Sequence, residues 1–400
     1  MRVLVVHNRY RSEMPSGENR VVDEDVSMLR DAGAEVHTFF RDSDTIAEYG
    51  AARKAALAPS PTYSVEAVRD FRRVLSRFRP DVVHLHNPFP LISPWVIRIA
   101  EQARIPVVQT VHNYRHSCPG SMGFFRNGRI CEDCVGKSFP WPSVMHACYR
   151  ESHAASLSMA FATRVHRPTW QLVNRFLAVS DFVAHHLTLA GISPDKIVVL
   201  PNCARSRGPV APPGSGFVFI GRLTAEKGVS LLMSAWARSR ARDTQRLVVA
   251  GDGPEREIVI AARESNVRYE GLVDAERVRW LLDEAAIVVI PSLCYEGFPR
   301  LVAEAFERGR PVVATALGSL GDLITSDVGW TADPNADAFA TMLSSASSDP
   351  TLATKAAAAR AVFEAYLTPE LRVQRLLAVY ADVTAAAGHP SGLHGSPDVI

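Results

Sequence analysis

Short unbroken apolar runs alternate along the chain with longer stretches whose apolar residues recur every three or four positions. A fully apolar run of a few residues reads as a strand buried on both faces. The periodic stretches read as helices. Candidate strands in the first half are Val3–Val6, Glu35–Phe40, Val82–Leu85, Pro106–Val111, Phe176–Val179 and Ile197–Leu200. A second series follows at Phe217–Ile220, Leu247–Ala250, Val267–Glu270, Ala286–Ile290 and Pro311–Ala314. Such strands, separated by helical crossovers, predict parallel sheets with helices on both faces. The stretch PNCARSRGPVAPPGSG, residues 201–216, has no apolar period and is rich in Pro, Gly and Ser, so it predicts a linker. The expectation is an α/β chain of two Rossmann-like domains, 1–200 and 217–366, facing each other across a cleft. A terminal amphipathic helix over 367–385 carries Leu371, Leu376, Leu377, Val379, Tyr380 and Val383. The Gly/Pro/Ser-rich tail, 388–400, is expected to be disordered.

Composition narrows this picture only a little. A length of 400 residues exceeds one ordinary core. The apolar and charged fractions, 47% and 22%, are those of a globular protein. A net charge of +2 gives no electrostatic footprint for nucleic acid, so no nucleic-acid partner is expected. The apolar run in MRVLVVHNRY is shorter than the roughly 7–15 residues of a signal-peptide core. No stretch reaches the roughly 18 apolar residues of a spanning helix. A cytoplasmic location follows as an expectation.

Ligands of open α/β sheets bind at the carboxyl ends of the strands, so the chemistry is sought there. In FVFIGRLTAEKG a strand turns at Gly221, and Arg222 and Lys227 flank the turn ahead of a helix. Two cations beside helix N-terminal amides suit a diphosphate, and they equally suit a solvated pair on a loop. LVVAGDGPER ends a strand in a Gly-rich turn but has Arg256 where a dinucleotide fingerprint needs its last Gly. Asp252 there reads as a turn residue or a ligand contact, and RYEGLVD, 268–274, as a wall for a base.

CYEGFPRLVAEAFERGRPVV places Glu296 before a Gly-Phe-Pro turn and Glu304 in a greasy helical stretch. Pro299 is a good first helical residue, which would leave the amides around Arg300–Val302 open to an anion. Glu304, in the second turn, can accept hydrogen bonds from a vicinal diol, or it is an exposed helix acid. Glu296 sits where a sugar hydroxyl could meet it.

In the first half, His112 follows a strand in QTVHNYRHSCPG, a position more often structural than catalytic. His84 and His86 share one strand face and either line a cleft or cap the sheet. The loop RYRSEMPSGENR presents Gly17 to an anion, or is a surface loop.

Two further stretches stand apart. Cys118, Cys131, Cys134 and Cys148 surround a loop-rich insert, and their spacing suits a structural tetrahedral zinc. Free thiols or a labile disulfide are the alternatives. VRDFRRVLSRFRP puts Val68, Phe71, Leu75 and Phe78 on one helical face and arginines on the rest. It reads as a core-packing helix with a solvated basic face, or as a contact for anionic lipid headgroups or a lipid-diphosphate acceptor.

In order and spacing, Gly221-Arg222-Leu223 with Glu226-Lys227-Gly228, then Gly251-Asp252-Gly253-Pro254, then Glu296-Gly297-Phe298-Pro299 with Glu304 seven intervening residues on, resemble one known pattern. It is that of the retaining GT-B glycosyltransferases of family four, the group-one set, and the similarity extends to about residue 385. The resemblance implies a nucleotide-diphosphate sugar donor, its diphosphate on Arg222 and Lys227, its ribose on Glu304 and its sugar at Glu296. Gly221, Gly253, Phe298, Arg300 and Leu301 complete that donor site. His112 would face the reacting sugar and Gly17 the phosphates, with Ser16-Gly17 where relatives often carry Gly-Gly. The terminal helix would cross back to the first domain.

Some relatives carry a similar Cys-x-x-Cys…Cys-Tyr-Arg insert, which is expected to shape the acceptor side. The implied activity is hexosyl transfer with retention to a saccharide or lipid-linked acceptor in cell-surface polysaccharide or glycolipid synthesis, at the inner face of the plasma membrane. Cations that stabilise the departing diphosphate can replace a catalytic metal, and none is expected. Asp23–Asp25 reads as part of a helix and Asp42–Asp44 as a solvated turn. A nucleotide-sugar 2-epimerase of the same fold and a non-catalytic nucleotide-sugar-binding homologue are the alternatives.

Overall fold

The computed structural model describes residues 1–12, 16–55, 57–120, 123–206, 208, 210, 212–262 and 266–388. The expected disordered tail beyond Gly388 lies outside the described residues. Contacts divide the chain into two units. The first comprises Met1–Ser121, Glu132–Leu200 and Glu370–Ile400, and the second Met122–Cys131 and Pro201–Pro369.

The first unit is built on β1 (Arg2–Arg9), β2 (Glu35–Asp42), β3 (Val82–Leu85) and β4 (Val107–Val111). A two-stranded antiparallel hairpin, β5 (Phe125–Arg126) and β6 (Arg129–Ile130), follows in sequence but belongs to the second unit. Strands β7 (Arg175–Ala178) and β8 (Ile197–Val199) then complete a six-stranded parallel sheet in the order β2-β1-β3-β4-β7-β8. The centre of β1 is buried on both faces, with Val3, Leu4, Val5 and Val6 all 0% exposed. Each such side chain contributes roughly 1.5–3 kcal/mol by burial. That two-sided burial is why the run shows no alternation in sequence.

The second unit repeats the plan with β9 (Phe217–Ile220), β10 (Leu247–Ala250), β11 (Val267–Gly271), β12 (Ile287–Ile290), β13 (Val312–Thr315) and β14 (Gly329–Ala332), in the parallel order β11-β10-β9-β12-β13-β14. The strand order reverses between β9 and β12, and ligands of open α/β sheets bind beside the loops that leave the strands at such a switch point. β14, sequence GWTA, is absent from the strands expected above. It has no apolar run, and its first residue must be small, because a Cβ on Gly329 would lie 2.1 Å from the Val312 carbonyl oxygen.

The helix Pro369–Ala386 packs within the first unit. Leu376, Tyr380 and Val383 join a core that includes Val3, Val5, Leu29 and Val108. Arg372 donates to both oxygens of Asp25, at 2.6 and 2.8 Å, with the residues only 2% and 0% exposed. Asp25 is thus a structural ion-pair partner. Asp23 of the same triplet pairs with Arg9, Asp42 accepts from the Asp44 amide at 2.9 Å, and Asp44 accepts from the Ser12 amide at 3.0 Å.

The helix Val65–Phe78 buries Val68, Phe71, Leu75 and Phe78 and exposes Arg69, Arg72, Arg73 and Arg77. Asp70 on that helix pairs with Arg41 at 2.7 Å and Arg73 at 3.3 Å. Among the described residues no helix is long and apolar enough to cross a membrane.

Candidate functional site

In the second unit, the loops after β9 and β12 are locked together by backbone. Gly228 has φ +71°, and a Cβ there would lie 1.8 Å from the Pro291 carbonyl oxygen. The Leu293 amide donates to the Glu226 carbonyl at 2.9 Å. The Gly251–Pro254 turn closes on the same loop. Cβ atoms on Gly251 and Gly253 would meet the carbonyl oxygens of Gly221 and Leu223 at 1.8 and 2.5 Å. The Gly221 amide donates to the Ala250 carbonyl at 3.0 Å, and the Leu223 amide to the Asp252 carbonyl at 2.9 Å. Gly251 and Gly253 therefore let the backbones approach, which fixes where Arg222 and Lys227 stand.

On this frame sits a charged cluster. Lys227 Nζ donates to Glu296 Oε1 at 2.6 Å, and the Ser292 hydroxyl donates to the same oxygen at 2.7 Å. Ser292 is itself held by Thr315, whose hydroxyl donates to the Ser292 carbonyl at 2.6 Å. Arg222 Nη2 donates to Glu226 Oε1 at 2.9 Å. Burial alone would lower the Lys227 pKa and raise that of Glu296. Their mutual attraction outweighs it, so the ammonium is shifted up and the carboxyl down. Both are charged at neutral pH, and their side chains keep 26% and 14% exposure, enough to meet a ligand.

The helix Arg300–Glu307 starts one residue later than expected, because Pro299 keeps an extended ψ of 124° and takes the N-cap position. The Val302 amide already donates to the Pro299 carbonyl at 3.0 Å, so it is not among the amides open to an anion. Glu304 does lie in the second turn. It is neither buried alone nor a bare surface acid, since Arg300 Nη2 donates to its Oε1 at 2.9 Å and holds it in place. Phe298 is buried and its carbonyl accepts from Asn202 at 3.1 Å, while Leu301 is half-buried at the helix start. Glu226 and Ser292 are partners that the sequence pattern did not mark as site residues. The four-residue step from Arg222 to Glu226 was the available signal.

In the first unit, Gly17 opens the helix Gly17–Asp31, capped by Ser16, whose hydroxyl accepts from the Glu18 amide at 3.2 Å. His112 stacks on His86 with rings 10° apart, and His112 Nε2 and His86 Nδ1 are 3.0 Å from each other. His84 is structural. Its ring is buried between the Tyr380 hydroxyl at 2.6 Å and the Thr110 hydroxyl at 2.7 Å. Burial holds His86 and His112 well below the usual imidazole range, so both are neutral hydrogen-bonding groups.

Burial likewise lowers His7 and His84 from 6.5 to about 4. Between those pH values the unfolded chain takes up protons that the folded chain refuses, so stability falls as pH drops from 6.5 to about 4. Each ring accounts for roughly 2–3 kcal/mol of that loss. Buried Glu18, whose pKa burial raises, runs the other way, losing its share as pH rises. Urea unfolding at pH 7 and pH 5 is expected to show a less stable first unit at pH 5, with a smaller difference in His84→Gln. An unchanged difference in that variant would remove His84 as a cause.

The four-cysteine zinc centre is not assembled among the described residues. Cys131 belongs to the second unit, and Cys118, Cys134 and Cys148 to the first. Arg126 Nε donates to Cys131 Sγ at 3.4 Å, and Cys134 Sγ donates to the Pro140 carbonyl at 3.9 Å. Among the described residues no disulfide forms, and no three His, Cys, Asp or Glu side chains gather as a metal-holding group. Spacing along the chain fixes loop length, not the convergence of thiols.

Comparison with known proteins follows the division into units. Residues 16–203 match the family described as a glycosyl transferase 4-like domain, and residues 214–349 match glycosyl transferases group 1. An uncharacterised glycosyltransferase of Methanocaldococcus jannaschii is 34% identical over 130 residues, 31% of this chain and 33% of its own length. The match thus spans a third of that relative. A phosphatidyl-myo-inositol mannosyltransferase of Mycobacterium leprae is 24% identical over 330 residues, 77% of each chain. The Anabaena protein HepE, solved in complex with UDP, shares the fold with a TM-score of 0.65 at 16% identity, over 96% of this chain and 100% of its own. The chain joins a glycosyl transferase 4-like domain to a glycosyl transferases group 1 domain in a GT-B fold.

Proposed function

We propose that the protein transfers a hexosyl group, with retention, from a nucleotide-diphosphate sugar to a saccharide or lipid-linked acceptor. The observation that carries this reading is the charged cluster of Arg222, Lys227 and Glu296 on the loops that leave β9 and β12. Breaking a sugar–diphosphate bond leaves two negative charges on the departing group and positive charge on the sugar. Arg222 and Lys227 are fixed cations for the first, and Glu296 a fixed anion beside the second. Glu304, oriented by Arg300, supplies the acceptor oxygens for a ribose diol. The two cations offset the leaving charge without help from a metal ion.

A UDP complex of the Anabaena protein and the inositol-lipid mannosyltransferase relative support the donor and acceptor classes. The exposed arginines of the helix Val65–Phe78 support peripheral contact with anionic membrane, although Asp70 neutralises part of that face. Flotation with anionic vesicles, but not zwitterionic ones, is the expected result, and no flotation with either would remove the contact.

The test of the whole reading is a screen of nucleotide sugars with release of nucleoside diphosphate as readout. Release with one donor, raised by a sugar acceptor, is expected. Conversion of the donor to its 2-epimer without transfer, or binding with no turnover, would overturn it.

A further inference from the structure

Two helices of the first unit are inverted in polarity. The short helix Trp141–Met145 buries Ser143 and leaves Trp141 and Met145 58% and 63% exposed. The helix His153–Val165 buries Ser156 and Thr163 and leaves Leu157 and Phe161, one turn apart, 45% and 54% exposed. The buried hydroxyls are all bonded. Ser143 donates to the Pro140 carbonyl at 2.8 Å, Thr163 to the Met159 carbonyl at 2.8 Å, and Ser156 accepts from the Tyr149 amide at 2.9 Å. The inner faces are therefore settled, and the apolar side chains outside are surplus to them. His153 Nδ1 donates to the Val144 carbonyl at 2.8 Å and ties the two helices together. Ser158 donates to the Ala58 carbonyl, and His166 Nε2 to the Thr62 carbonyl at 2.9 Å. These bonds lay residues 58–62 along the longer helix, and the exposed Tyr63 and Val65 follow directly. Seven large apolar side chains of the first unit are exposed among the described residues, and six stand on these neighbouring segments.

Single exposed apolar residues are ordinary, but a group of them on adjoining segments marks an interaction surface. The surrounding charge names the partner. Residues 137–168 carry four cations, Lys137, Arg150, Arg164 and Arg167, against one acid, Glu151. Arg164 shares the exposed face of its helix with Leu157 and Phe161. Val65 opens the helix that exposes Arg69, Arg72 and Arg73 four, seven and eight residues on, so the apolar group runs into the basic face described above. The acids of that helix are engaged, Glu66 with Arg53 at 3.7 Å and Asp70 with Arg41 and Arg73. Aromatic and aliphatic side chains bordered by Lys and Arg suit the headgroup boundary of an anionic bilayer. A two-fold contact between copies of this chain would instead set these cations against one another.

We propose that the first unit docks on an anionic bilayer with Trp141, Met145, Leu157 and Phe161 seated at the headgroup boundary. The arginines of the helix Val65–Phe78 supply the attraction, which salt screens, and the apolar side chains supply the hold that survives salt. The proposal rests on the peripheral contact put forward above and adds to it a surface that arginines alone do not provide.

The experiment floats the intact chain with phosphatidylcholine vesicles, with and without phosphatidylglycerol. Binding to the anionic vesicles is expected, and part of it is expected to persist at high salt. Leu157→Ser combined with Phe161→Ser is expected to weaken it at least tenfold. Trp141→Ser combined with Met145→Ser, on the other helix, is expected to do the same. All four side chains are exposed, so melting temperature and nucleoside diphosphate release with a water-soluble acceptor are expected to stay at wild-type values. Brominated acyl chains in the anionic vesicles are expected to quench tryptophan fluorescence, with much of that quenching lost in Trp141→Phe.

Flotation that both double variants leave unchanged would overturn the apolar surface and leave the arginine contact standing. Binding wholly released by salt, or quenching that Trp141→Phe leaves unchanged, would overturn it in the same way. Flotation with neither kind of vesicle would overturn the surface and the arginine contact together, while the glycosyl-transfer reading would still answer to its own donor screen. A dimer in analytical ultracentrifugation that the double variants dissolve would assign the surface to a second copy and overturn the proposal.

Discussion

Replacing Lys227 by methionine is expected to lower sugar transfer by about 100- to 1,000-fold, the loss typical when one preorganised donor to a developing negative charge is removed. The variant will also be less stable, because Glu296 loses its ammonium partner in a desolvated place. The pair is not fully buried, so that cost is nearer ~1 kcal/mol than the 3–5 kcal/mol of a wholly enclosed pair. A double variant separates the two effects. Adding Glu296→Gln to Lys227→Met removes the stranded charge and is expected to recover the melting temperature but not turnover. Wild-type turnover in Lys227→Met would take Lys227 out of the leaving-group role. Near-normal activity in Arg222→Ala would do the same for the other cation.

Gly228→Ala is expected to destabilise the site strongly for a change of one methyl group. The left-handed backbone costs an alanine ~1–2 kcal/mol. The added Cβ would also lie 1.8 Å from the Pro291 carbonyl oxygen, so the loops after β9 and β12 must part. A total loss of about 4 kcal/mol is expected, at the upper end for point substitutions. Gly271→Ala in the same unit is the control. It has φ +70° but meets only the Tyr269 hydroxyl at 4.0 Å, so it reports the backbone strain alone. Equal denaturant midpoints for the two variants would mean that close approach of the loops contributes nothing.

Much of the fold was legible because its strands are short, apolar and buried on both faces. Phe217–Ile220, Leu247–Ala250 and Val82–Leu85 coincide with observed strands residue for residue. β14 escaped because Gly-Trp-Thr-Ala has no apolar run, and the pairing that makes it a strand comes from β13. The cations Arg222 and Lys227 were legible from their place after β9. Their partners were less so. Lys227 and Glu296 are 69 residues apart, and only the fold brings them to 2.6 Å. His84 and His86 looked equivalent in sequence, yet one bonds Tyr380 and Thr110 and the other lines a cavity. That difference depends on a helix some 300 residues further along.

The buried pair between Arg372 and Asp25 bears on how the chain is made. The larger segment of the second unit, Pro201–Pro369, is inserted between Leu200 and Glu370 of the first. During synthesis the early sheet must therefore wait with Asp25 uncompensated and one flank bare, for roughly 10–40 s at ordinary elongation rates. The nested segment has all of its strands β9–β14 by then, so it can fold before Arg372 arrives to complete the first unit.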